Sequence, residues 1–216
     1  MWVFMEQSYN IQSIIGTIEW DKVPILEMKY SYLVTPENIV AFGQICAGKD
    51  AFFVHLWAQQ PEIRAKEFGA DGLPYKDSCL EFFFQPEETN PRYFNLEFNF
   101  NKCLFLGIGT NGEDLQRILL DDWEEVFKPF TQRTDQGWEI FYQIPYSFIR
   151  RYFPEFELHK GKILRANCFT CSDLAETPYY RSWCRVVNEP LSFHRPECFG
   201  IMIIVWLVTK YLIKDK

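Results

Sequence analysis

The residues best suited to chemistry fall at alternate positions between Tyr93 and Asn101. Tyr93, Asn95, Glu97, Asn99 and Asn101 form one set, and Phe94, Leu96, Phe98 and Phe100 form the other. An extended chain sends alternate side chains to opposite faces. One face therefore presents amides, a carboxylate and a phenol, and the other presents four large apolar groups to a core. Asn both donates and accepts hydrogen bonds, and Glu accepts them. That combination matches sugar hydroxyls, although an ordinary solvated sheet face carries the same pattern.

Three further groups of residues carry chemical expectations. Trp183, at the end of Tyr179-Tyr180-Arg181-Ser182-Trp183, has a ring able to stack on the apolar face of a pyranose, or to fill a core. Asp77, Glu81 and Glu97 form a carboxylate set. A glycoside hydrolase needs two such groups roughly 5–10 Å apart, and carboxylates also hold hydroxyls without catalysis. Cys168-x-x-Cys171 followed by His194-x-x-x-Cys198 supplies four donors of the zinc type. The gap between the two pairs is long for such a motif, and no glycine knuckle marks the first pair. Gly107-x-Gly109-x-x-Gly112 has the spacing of a dinucleotide fingerprint but lacks the following helix. His55 reads as a strand residue and His159 as a loop residue.

The elements that must position these residues read as strands. Ile39–Cys46 and Phe52–Ala58 form a hairpin across Ala47-Gly48-Lys49-Asp50. Cys79–Gln85, Tyr93–Asn101, Leu104–Ile108, Trp138–Ile144, Lys162–Thr170 and Cys198–Val208 complete the strand set. Helix signals are short, at Asp121–Phe127 and Tyr146–Phe153. The expected architecture is all-β: a two-sheet antiparallel β-sandwich of jelly-roll type with one or two short helices. Residues 1–216 are read as one domain, with a recognisable core at about 38–204.

Composition agrees with this architecture. The chain has 21 Phe, 11 Tyr and 7 Trp, an aromatic share of 18% that suits pleated, half-buried surfaces. With 22 basic and 29 acidic residues the formal charge is −7. No basic stripe is present for a phosphate backbone, so nucleic acid is not an expected partner. The C-terminal apolar run is shorter than the roughly 20 residues a bilayer span requires, so no membrane insertion is expected. The seven cysteines are irregularly spaced, unlike a disulfide scaffold. The N-terminus shows no signal peptide, which points to the cytoplasm unless the chain is a processed mature form. Oligomeric state is not readable.

Several ordered segments resemble the family 9-like carbohydrate-binding modules of the DOMON-like superfamily. They are Pro61–Ala65, Asp77–Phe83, Tyr93–Asn99, Ala166-Asn167 with Cys171 and Asp173, Ser182-Trp183, and Phe193–Glu197 with Phe199-Gly200. The resemblance implies a non-catalytic binder of a mono- or oligosaccharide or a glycan chain end, often secreted or periplasmic and associated with glycan degradation. It implies that Trp183 stacks on the sugar, that Glu81 is the carboxylate after Asp-Ser-Cys, and that Arg64, Asn95 and Asn99 line the same sheet. Tyr75 and Trp57 are candidates for a second stacking ring. No cofactor is required by this reading, and some members carry structural calcium.

Overall fold

A computed structural model describes residues 7–206. Among the described residues, fourteen strands occur in chain order. The first seven are β1 (Ser8–Ser13), β2 (Leu26–Glu27), β3 (Tyr30–Tyr32), β4 (Val40–Ala47), β5 (Ala51–Gln59), β6 (Cys79–Gln85) and β7 (Tyr93–Asn99). The others are β8 (Leu104–Gly109), β9 (Gln116–Arg117), β10 (Phe130–Thr134), β11 (Gly137–Pro145), β12 (Ile163–Ser172), β13 (Tyr179–Ser182) and β14 (Gly200–Trp206). Two short helices, α1 (Trp123–Phe127) and α2 (Tyr146–Tyr152), lie where helices were expected. The expected last strand, Cys198–Val208, starts instead at Gly200, and its residues 207 and 208 lie outside the described residues.

The strands join in one curled sheet, ordered β10-β11-β5-β4-β1-β14-β12-β6-β7-β8-β9, with β13 beside β12. Its two halves fold over one another as the layers of a sandwich. Phe52 of β5 meets Phe84 of β6, and Tyr142 of β11 meets Phe98 of β7, with ring centroids 6.4 and 4.9 Å apart. These contacts follow from period-two alternation. Phe94, Leu96 and Phe98 alternate with polar residues along β7 and all enter the main core. One expectation is corrected here, because the strands are not all antiparallel. β1 lies at the seam between the halves and pairs parallel with both β14 and β4.

The other face of β6, β7 and β12 was expected to lie open as a polar surface. It is instead roofed by the chain's own loops, and all seven residues of β7 are buried. At one end of the roof Phe83, Tyr93, Phe169, Val186 and Phe199 form a second, smaller core. At the other end, Asp77 Oδ2 accepts hydrogen bonds from the backbone N–H groups of Lys66 and Glu67 and from Asn99 Nδ2, at 2.7, 2.7 and 2.8 Å. A buried carboxylate is stabilised by such charge-assisted donors, and here they fasten residues 64–67 to the sheet.

A pocket over two facing acids

Between the fastened ends of the roof a cavity of about 330 Å³ reaches the sheet. Its floor follows from strand register. Phe169 of β12 lies opposite Glu81 of β6, Glu81 lies opposite Glu97 of β7, and Glu97 lies opposite Phe105 of β8. Two carboxyl groups thus occupy the middle of a four-strand row with an aromatic ring at each end. Tyr75, Tyr180 and Phe193 from the roof also line the cavity.

Each wall residue has a local reason for its place. Tyr75 stands on a 3-10 turn, Pro74–Lys76, whose first residue is the conformationally preset proline. That turn is tied to the end of β12, because Asp173 N–H donates to the Tyr75 carbonyl at 2.9 Å. Tyr180 on β13 donates its hydroxyl to Asp173 at 2.8 Å. Phe193 stacks on Phe169 with centroids 4.2 Å apart. His194 sits against Phe83 and makes a 2.9 Å hydrogen bond with the Tyr93 hydroxyl through Nδ1. Burial lowers its pKa to about 4, so the ring is neutral near pH 7.

The acids are unusual in having so few partners. Glu81 accepts a hydrogen bond from Cys171 Sγ at 3.0 Å. Glu97 accepts one from Asn95 Nδ2 at 2.6 Å through Oε1, while its buried Oε2 has no partner. Burial raises the Glu81 pKa to about 7. Burial first, and the Glu81 charge second, push Glu97 well above the usual carboxylate range. The cause common to both is burial, which disfavours the charged form of each carboxyl. Asn95 itself lies over Gly107, where a Cβ would come 2.1 Å from Asn95 Oδ1, so glycine leaves the room that the amide needs.

The sequence-expected residues divide between this pocket and other places. Glu81, Glu97 and Tyr75 line it. Asn95 acts behind Glu97 and is fully buried. Asp77, Asn99 and Arg64 belong to the fastening of the roof. Arg64 Nε lies 3.3 Å from Asp77 Oδ1 as an ion pair, while its N–H donates to the Lys76 carbonyl at 3.1 Å. The expectation for Trp183 is corrected. The indole is only 3% exposed, packs edge-to-face with Tyr9 in the main core, and offers no face to a ligand. Trp57 is on β5, in the other half of the sheet, with its ring faces against Phe42 and His55. The rings that do line the pocket, Phe105, Tyr180 and Phe193, went unassigned in the sequence. For Phe105 the signal existed, since pairing Leu104–Ile108 with Tyr93–Asn101 sets it beside Glu97.

The zinc expectation is also corrected. Cys168 and Cys171 are three residues apart on one strand and therefore face opposite sides of the sheet. Cys168 enters the main core, and Cys171 lines the pocket. Among the described residues, the group whose donor atoms do converge is Cys79, Glu81 and Cys171, within 4.8 Å of one another. Two thiols and one carboxylate do not fit calcium, which takes six to eight oxygen ligands. No helix among the described residues is long and apolar enough to cross a membrane.

Comparisons with known proteins agree with this architecture. The family model described as carbohydrate-binding family 9 matches residues 7–204. No curated protein sequence matches the chain. Among solved structures, a candidate carbohydrate-binding protein from Bacteroides uniformis ATCC 8492 is similar at 20% identity and a TM-score of 0.75, covering 92% of this chain and 99% of that one. A family 9 module from Caldicellulosiruptor kristjanssonii in complex with cellotriose is 12% identical with a TM-score of 0.66, covering 97% of this chain and 100% of that one. A family 9 module from the same organism in complex with glucose is 12% identical with a TM-score of 0.64, covering 92% and 95%. At these identities the likeness concerns the fold.

Proposed function

The chain belongs to carbohydrate-binding family 9, and on that premise we propose that it holds a saccharide, without cleaving it, in the pocket over Glu81 and Glu97. One observation carries the reading. Glu97 lines a cavity, and one of its carboxyl oxygens has no hydrogen-bond partner within the protein. A buried polar atom left unpaired costs about 1–3 kcal/mol, and a ligand that supplies the partner recovers it. Burial favours the protonated form of Glu97, which can donate or accept through that oxygen. A sugar hydroxyl is the complement in either case. The C–H faces of the pyranose meet the rings of Tyr75, Phe105, Tyr180 and Phe193, which give contact area at low entropic cost. Glucose and cellotriose, bound in the Caldicellulosiruptor family 9 structures, support a hexose as the ligand class.

Calorimetric titration with glucose and cellotriose tests the proposal. The expected Kd lies between about 1 mM and 1 μM, or about −4 to −8 kcal/mol, and Glu97→Ala abolishes the heat while the thermal melt stays cooperative. Equal binding by Glu97→Ala refutes the site.

Hydrolysis is a second reading, and one feature favours it. Glu81 and Glu97 lie directly opposite each other, where antiparallel partners have Cβ atoms about 4.5–5.5 Å apart, close to the carboxyl spacing of retaining glycosidases. Such an enzyme also needs one of its two carboxyl groups ionised, and here burial raises both pKa values. A panel of chromogenic glycosides decides between the readings, with no turnover expected. Turnover abolished by Glu81→Gln would replace binding with catalysis.

A further inference from the structure

We infer that the pocket over Glu81 and Glu97 prefers a sugar carrying a protonated amine, an amino hexose, to the neutral hexose of the same shape. The inference rests on the pocket being a saccharide site and adds the charge of its ligand.

Three carboxyl groups line the cavity, those of Glu81, Glu97 and Asp173, and among the described residues no lysine or arginine lines it with them. Two arginines on neighbouring elements are engaged elsewhere. Arg117 stacks on the Phe105 ring at 4.4 Å and donates to the carbonyl oxygens of Ala70 and Gly72. Arg64 pairs with Asp77 in the fastening of the roof. His194 reaches the wall as a neutral ring, its pKa lowered by burial to about 4. A cleft lined by one sign of charge, between walls of low dielectric, concentrates ligands of the other sign.

Glu97 locates the point where that charge belongs. The residue is only 4% exposed, it lines the cavity, and its Oε2 has no hydrogen-bond partner within the protein. Glu81, directly opposite, is met by a thiol, a weak donor. The contrast is with Asp77, equally buried, whose Oδ2 receives two backbone N–H groups and an amide. A sugar hydroxyl gives one donor and leaves burial to hold the acids protonated. An ammonium group brings three donors and a positive charge, which favours the ionised form of a carboxyl beside it. The walls reinforce this choice. Tyr75, Phe105 and Tyr180 supply aromatic rings, whose π faces attract a cation, and rings beside acids recognise ammonium ligands.

The test is calorimetric titration at pH 7 with glucose, glucosamine, N-acetylglucosamine and glucuronate. Glucosamine is expected to bind at least fivefold more tightly than glucose, and glucuronate more weakly than glucose. N-acetylglucosamine, which keeps the nitrogen without its charge, is expected to lack the gain. Glu81→Gln, which removes a charge and keeps the shape, is expected to cut the ratio of glucosamine to glucose affinity at least threefold. Glucose binding with no gain for glucosamine overturns the preference and leaves the saccharide site intact. A gain shared equally by N-acetylglucosamine, or a ratio unchanged in Glu81→Gln, also overturns it. Failure of all four sugars to bind overturns the proposed function, and the preference with it.

Discussion

Asn95 donates from Nδ2 to Glu97 Oε1, from two residues away on the same strand face, so the amide commits one oxygen of the acid and leaves its twin uncommitted. The pair makes Asn95 a positioning residue. Asn95→Ala is expected to lower glucose affinity about tenfold, or about 1.4 kcal/mol, with secondary structure unchanged by circular dichroism. Gly107→Ala drives a methyl into Asn95 and is expected to give a loss of the same order, although position 107 lines no part of the pocket.

The rings of the wall should report directly on the ligand. Tyr180→Ala and Tyr75→Ala each remove aromatic contact, worth about 0.5–1.5 kcal/mol beyond area. Calorimetry should therefore show a several-fold weakening for each, with little change in melting temperature because both side chains are partly exposed. Wild-type affinity in both variants would move the ligand elsewhere.

Trp183 should behave as a core residue. Trp183→Ala removes a buried indole packed on Tyr9, and such truncations cost about 3–5 kcal/mol. Denaturant unfolding should show that loss, and any folded fraction should still bind sugar. A fully stable variant that fails to bind would return the indole to the ligand.

The fastening of the roof can be tested apart from the ligand. Asp77→Ala leaves the backbone N–H groups of Lys66 and Glu67 and the amide of Asn99 without their acceptor. A loss of about 3 kcal/mol is expected, with hydrogen exchange rising first over residues 64–69. Exchange that rises uniformly instead would contradict a local role.

Stability should depend on pH through Glu81. Its pKa rises from 4.5 in the unfolded chain to about 7 in the folded one. Between those values the folded state binds more protons than the unfolded state, so stability is greatest below pH 4.5 for this group and declines as pH rises toward 7. Glu97 shifts in the same direction. Glu81→Gln is expected to flatten the decline and to raise the melting temperature at pH 7 by a few degrees. A ligand-free melting temperature that climbs across this interval in the wild type, and not in the variant, would reverse the sign.

The strand set was legible in the sequence because period-two alternation needs no knowledge of partners. Tyr93–Asn101 shows this best, with every apolar residue from Phe94 to Phe98 placed in the core as expected. Glu97 was legible as chemistry for the same reason, and Glu81 entered as one of a carboxylate set and through the family resemblance. Their isolation was not, because the loops that roof them carry no periodic signal and their closure depends on long-range bonds such as Asp77 to Lys66. Trp183 follows a four-residue strand, too short for alternation to say which side it faces. The zinc pattern failed on a point the sequence did contain: Cys168 and Cys171 are an odd number of residues apart on one strand, and so point away from each other.

The parallel seam strand has a consequence for how the chain reaches this state on the ribosome. Ser8–Ser13 matches Ile201–Trp206 along its whole length and touches the earlier β4 at only two positions. During synthesis the first strand therefore waits, with most of its pairing unmade, until residues 201–206 have emerged. Contacts of such sequence separation are slow to form and leave edges open to other molecules meanwhile. Pairing of β14 between β1 and β12 is what joins the two layers across the seam.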